Sequence, residues 1–149
     1  MLKLRDIMTR DVFTLSSAAP AGRAAWELSV RGYTGAPVQD ARGRLVGVLS
    51  RSDLMDPERT EGTLEGKAVQ DLMTPAMFTL CSEEPVSRAI GLMVREGIHR
   101  VIVMDDDHQM VGIVTSSDIL HSLVRGELVD ATLPSAFSGR GSFGEAARA

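Results

Sequence analysis

Short runs of Val, Ile and Leu, separated by polar turn-forming residues, organise this chain. Ala36–Gln39 is followed by Leu45–Leu49, and Val101–Met104 by Met110–Val114. Near-continuous apolar runs of this length predict strands buried on both faces. The segments between them, Asp40-Ala41-Arg42-Gly43 and Asp105-Asp106-Asp107-His108, have turn composition. Val12–Leu15 and Met77–Leu80 read as further short strands, rich in Val, Phe, Thr and Leu. After each the spacing changes to that of a helix. Val86, Ala89, Ile90, Met93 and Val94 fall on one helical face, as do Ala21, Ala24, Ala25 and Leu28. Pro20 and Pro85 open these helices, where a missing N–H costs nothing. Gly32 and Gly97 stand where a left-handed cap is expected. A last helix starts near Ser52 and near Ser117, the second continuing through Ile119, Leu120, Leu123 and Val124.

These blocks are copies of one unit. A shift of 65 positions aligns Arg5–Met55 with Gln70–Leu120 without a gap, and 17 of the 51 pairs are identical. Asp6-Ile7-Met8-Thr9 returns as Asp71-Leu72-Met73-Thr74, and Phe13-Thr14-Leu15 as Phe78-Thr79-Leu80. Each copy reads as β-α-β-β-α. The first spans 1–60 with its core at 5–55, and the second 68–126 with its core at 70–120. Asp56–Lys67, with Pro57, Gly62 and Gly66 among charges, reads as a linker, and residues 130–149 as a flexible tail. A unit of about 50 residues buries a stable core with difficulty. The expected fold class is therefore α/β, with two repeats packed about a pseudo-two-fold axis.

The sharpest chemical feature closes each copy: Gly47-Val48-Leu49-Ser50-Arg51-Ser52-Asp53 and Gly112-Ile113-Val114-Thr115-Ser116-Ser117-Asp118. The glycine admits a close backbone, the apolar pair holds a strand, and a hydroxyl precedes a carboxylate by three positions. Ser-x-x-Asp and Thr-x-x-Asp are also capping boxes that start a helix. Both readings stand together, because a helix N-terminus beside a hydroxyl suits phosphate. A carboxylate one turn away can accept the hydroxyls of a ribose.

With Asp-x-Met-Thr at its start, a helix ending at Gly, and Gly-h-x-Ser/Thr-x-x-Asp at its close (h hydrophobic), the repeat resembles the cystathionine-β-synthase-type (CBS) domain. The likeness covers roughly residues 4 to 125. Paired CBS domains bind AMP, ADP, ATP, S-adenosylmethionine or related adenosine compounds in clefts between the copies. The resemblance implies that Asp53 and Asp118 hold ribose and that Ser50 and Thr115 contact phosphate. It places Thr14 and Thr79 along the clefts, and Val38 and Val103 with their backbone beside adenine. His99-Arg100 resembles the pair that grips phosphate in nucleotide-sensing members, a task suited to arginine. Copy one has Thr34-Gly35 there, with Arg51 as a candidate substitute, so two inequivalent clefts are expected.

Composition narrows the function. A net charge of -4 argues against a nucleic-acid binder. Cys81 is the only cysteine, which excludes an intramolecular disulfide, and it is expected to be packed in or beside a strand. The start of the sequence lacks a signal-peptide core and no 18-residue apolar run occurs, so the expected location is the cytoplasm. His108 and His121 lack metal-ligand spacing, the acidic turn at 105–107 reads as solvated, and Trp26 as a core or dimer contact. Phosphate-loop, nucleophile-elbow and zinc-helix motifs are missing. An adenosine-sensing regulatory module is the leading expectation, with no enzymatic activity, no required cofactor and a homodimeric state. A separate enzyme or transporter is its expected partner. The alternative is a structural module that dimerises or acts on a partner without ligand.

Overall fold

Leu15–Ser16 (β1), Gly35–Gln39 (β2) and Leu45–Ser50 (β3) form a three-stranded sheet in that order. Thr79–Cys81 (β4), Arg100–Met104 (β5) and Met110–Thr115 (β6) form a second with the same pattern. In each sheet the first pair is parallel and the second antiparallel. A parallel pair needs a crossover, supplied by the helices Ala21–Arg31 (α2) and Val86–Glu96 (α6). This computed structural model describes residues 1–127, and the expectation for a tail at 130–149 lies outside them.

The local signals act as their chemistry requires. Pro20 and Pro85 are the N-caps of α2 and α6. Gly32 and Gly97 close these helices at φ 69° and 64°, a conformation open to glycine without steric cost. Ala21, Ala24 and Leu28 of α2, and Val86, Ala89 and Met93 of α6, are buried, whereas Val94 is exposed. The middle three residues of β2 and β5 are buried, as their unbroken apolar runs predict.

The expected strands at Val12–Leu15 and Met77–Leu80 begin later and are shorter, at Leu15 and Thr79. Parallel pairing with β2 and β5 starts only there, so the preceding residues lack a ladder partner. Cys81 ends β4 and is exposed rather than packed. Trp26 is 57% exposed, with the Arg23 guanidinium 5.5 Å from its ring centroid, so it is not a core residue.

Three further helices have four residues each: Leu4–Ile7 (α1), Pro57–Thr60 (α4) and Val69–Leu72 (α5). The first and last contain the opening motif of each copy. Asp6 accepts a hydrogen bond from the Lys3 N–H at 2.8 Å, and Asp71 accepts one from the Ala68 N–H at 2.8 Å. The aspartate of Asp-x-Met-Thr thus satisfies a free donor at a helix start.

Residues 11–78 make one compact unit, and residues 1–10 join the chain from Thr79 onward to make the other. Each opening motif therefore belongs to the unit built by the other copy. Val69 and Leu72 of α5 lie in the core with Leu15, Leu28, Val38 and Leu49. Leu4 and Ile7 of α1 lie in the core with Val86, Met93, Val101 and Val114. The backbone connections match under the 65-residue shift. Val69 N–H donates to Ala19 O and Gln70 N–H to Ser17 O, as Leu4 N–H does to Glu84 O and Arg5 N–H to Ser82 O.

Two helices close the copies: Arg51–Met55 (α3) and Ser116–Val124 (α7). Pro57 breaks the chain after α3, whereas Ser122 at the equivalent position lets α7 continue.

Candidate functional site

The closing glycine is explained by what lies against it. A Cβ added at Gly47 would stand 2.6 Å from the Thr74 carbonyl oxygen. One at Gly112 would stand 2.6 Å from Met8 Sδ and 3.0 Å from the Thr9 carbonyl oxygen. The close backbone is therefore the exchanged opening motif. Val48 and Thr74 exchange two backbone hydrogen bonds, as do Ile113 and Thr9, each at 2.9 Å. Opening and closing motifs thus form one construction in each unit.

That construction continues to the side chains. The Ser50 N–H donates to Asp53 Oδ2 at 2.9 Å, and the Thr115 N–H donates to Asp118 Oδ2 at 2.8 Å. Asp53 N–H and Asp118 N–H donate back to Ser50 Oγ and Thr115 Oγ1. Both are complete capping boxes. The Thr74 hydroxyl donates to Asp53 Oδ1 at 3.1 Å, and the Thr9 hydroxyl to Asp118 Oδ1 at 3.3 Å.

The two carboxylates then diverge. Asp53 is 11% exposed and Arg59 Nη1 lies 3.0 Å from its Oδ1. Asp118 is partly exposed and is held by the Thr9 hydroxyl, the Thr115 N–H and the Thr115 hydroxyl. Nearby Arg125 donates instead to Glu127, through Nε at 2.8 Å and Nη2 at 3.2 Å. Hydrogen bonding to Arg125 first, and then its charge, hold the Glu127 carboxyl below its ordinary value.

The ten residues singled out in the sequence divide four and six between the units. Thr14, Val38, Ser50 and Asp53 lie in residues 11–78. Thr79, His99, Arg100, Val103, Thr115 and Asp118 lie in the other unit. Arg100 opens β5 directly opposite Thr115 on β6, three residues before Asp118. The His99 carbonyl accepts the Ser116 N–H at 3.0 Å. The guanidinium-bearing residue, the hydroxyl and the carboxylate thus meet at one sheet end. In the other unit that register pair is Gly35 and Ser50, without a cation. Arg51 is exposed at the first position of α3, its N–H given to the Thr34 carbonyl.

Other positions are less available. Val38 and Val103 are fully buried in their cores. Thr14 is partly buried and donates to Gln39 Oε1 at 3.3 Å, whereas Thr79 is exposed on β4. Thr9, Thr74 and Arg59 are the side chains that sequence reasoning did not place here. An Asp-Pro pair three and two residues before Arg59 was the available signal, since it marks a helix start.

Comparison with known proteins finds likenesses that cover both copies. The CBS domain profile matches residues 4–57 and 69–125. CBSX2 of Arabidopsis thaliana, crystallised in complex with AMP, is 26% identical, with a TM-score of 0.75 over 85% of this chain and 99% of that one. The CBS domain pair of MJ0100, crystallised with 5′-methylthioadenosine and S-adenosyl-L-methionine, is 29% identical, with a TM-score of 0.73 over 85% and 98%. An uncharacterised protein of Methanopyrus kandleri, MK0525, is 28% identical over 77% of this chain, which spans 59% of that protein's length. Inosine-5′-monophosphate dehydrogenase of Methanocaldococcus jannaschii is 30% identical over 79% of this chain, a match to 23% of the enzyme.

Proposed function

Starting from the fact that this chain belongs to the CBS domain family, we propose that it is a regulatory module that binds an adenosine compound. The observation carrying the proposal is the meeting of Arg100, Thr115 and Asp118 at one sheet end. Asp118 accepts a ribose hydroxyl, while Thr115 and the positive end of the α7 dipole face phosphate. Arg100 adds a charge-assisted contact to that phosphate, with His99 beside it. The similar CBSX2 and MJ0100 structures hold AMP, 5′-methylthioadenosine and S-adenosyl-L-methionine, which supports this ligand class. A ligand that prefers one of two arrangements of the chain biases that equilibrium, which is all that signalling requires. The reading includes a cytoplasmic homodimer and a separate enzyme or transporter as regulated partner. It assigns the chain no catalytic step.

Titration calorimetry with AMP, ADP, ATP and S-adenosylmethionine tests the reading. Binding of at least one is expected, weakened on the order of tenfold or more by Asp118→Ala, which removes a charged hydrogen-bond acceptor. Arg100→Gln should weaken AMP far more than 5′-methylthioadenosine, which has no phosphate. The second reading is a module that dimerises or meets a partner without ligand. Its support is that both closing motifs are complete helix caps. Failure of every adenosine compound to bind or to raise the melting temperature would favour it over the first.

A further inference from the structure

Arg59 does more than neutralise a neighbour. Its Nη1 donates to Asp53 Oδ1 at 3.0 Å, to the Leu72 carbonyl at 3.0 Å and towards Thr74 Oγ1 at 3.3 Å. Its Nε lies 3.5 Å from Asp56 Oδ2. One guanidinium therefore joins the closing motif, the exchanged opening motif and the segment between the copies.

The local sequence aims it there. Asp56 Oδ1 caps the Glu58 N–H at 2.9 Å and Pro57 takes the first position of α4. The Thr60 hydroxyl donates to the Asp56 carbonyl at 2.8 Å. This single turn returns the chain towards Asp53. Extending the 65-residue shift puts Ser122 at the position of Pro57 and Val124 at that of Arg59. There α7 runs on, and Val124 is 87% exposed.

Asp53 Oδ1 already accepts from Arg59 and Thr74, and Oδ2 accepts from Ser50. A carboxylate offers about four acceptor positions, and 11% side-chain exposure leaves a ribose diol little approach. A diol would also have to displace a charged donor with neutral ones, an unfavourable exchange.

We infer that Arg59 is an internal stand-in for ligand, which closes the Ser50–Asp53 motif to adenosine compounds and leaves the chain one binding site, at Thr115–Asp118. The inference rests on the adenosine-binding reading of the closing motif. Arg59 sets the stoichiometry without touching the bound ligand.

Calorimetric titration of the full chain with AMP, ATP and S-adenosylmethionine, repeated on Arg59→Ala and Arg59→Gln, decides the matter. One equivalent is expected for the unaltered chain and two for at least one variant, with folding checked by circular dichroism. Asp118→Ala should weaken the one site of the unaltered chain by about tenfold or more, while Arg59→Ala with Asp118→Ala should retain one site that this second substitution does not weaken. Two equivalents in the unaltered chain, or one in both folded Arg59 variants, would overturn the role of Arg59 and leave the adenosine reading intact. No binding by the unaltered chain or any variant would overturn both. Unfolding of both Arg59 variants would also overturn it, since the side chain would then be holding the fold rather than the site.

Discussion

Thr74 donates its hydroxyl hydrogen to Asp53 at 3.1 Å, joining the last residue of one repeated opening motif to the last residue of the preceding copy's close. The same residue's backbone bridges Val48. Thr9 makes the equivalent backbone and hydroxyl bonds, but it is exposed where Thr74 is partly buried, so Thr74 should matter more. Thr74→Val is expected to cost about 1–2 kcal/mol, the usual value for a hydrogen bond to a charged, partly buried acceptor. Thr9→Val, whose bond to Asp118 is longer at 3.3 Å and exposed, should cost about half that or less. Urea denaturation of both variants gives the comparison, and equal losses would contradict it.

The exchange of opening motifs predicts where damage travels. Leu4 is fully buried in the core formed by copy two. Leu4→Ala should destabilise that unit by about 2–5 kcal/mol. Hydrogen exchange should then accelerate in Arg100–Met104 before it does in Gly35–Gln39. The reverse order would mean that α1 supports its own copy.

Gly47 and Gly112 look alike in sequence but differ in what a methyl group would meet. At Gly47 the nearest atom is a backbone carbonyl, held by the bridge between Val48 and Thr74. At Gly112 it is the flexible side chain of Met8, although the Thr9 carbonyl follows at 3.0 Å. Gly47→Ala should cost about 1–3 kcal/mol through overpacking, and Gly112→Ala less. Thermal melts of the two variants settle the order.

The α1 segment also carries a pH dependence. Lys3 Nζ lies 2.6 Å from Glu83 Oε2, and Arg5 bonds the other oxygen. The Lys3 hydrogen bond foremost, with the charges of Arg5 and Lys3, holds the Glu83 carboxyl below its ordinary 4.5. A carboxyl lowered on folding contributes stability above its unfolded value and loses it as pH falls through the folded one. Exchange at Leu4–Ile7 should therefore quicken below about pH 4.5, and also in high salt, which screens exposed pairs. Glu83→Gln should remove most of that acid response. A response unchanged by the substitution would place its origin elsewhere.

The sequence and the structure agree wherever an element is specified by its own residues. Helices between Pro and Gly, buried runs in β2 and β5, and both capping boxes needed only local chemistry. The exchange of openings was invisible for a definite reason. Leu4 and Ile7 occupy the same repeat positions as Val69 and Leu72, so either pair satisfies either core and periodicity cannot distinguish them. Arg59 was hidden differently. It lies in a charged stretch with glycines, where composition suggests a linker and side-chain direction depends on the turn that Asp56 and Pro57 create. The candidate site was legible as residue types and register, whereas the difference between its two carboxylates was not.

The shared backbone bonds at Ser17 and Ser82 also bear on how such a chain arose. A lone copy, carrying its own opening motif, would need two core residues from another molecule and would have two of its own to give. Its simplest complete form is a reciprocal pair. Joining two copies in one chain therefore requires no new packing, only a peptide connection between them.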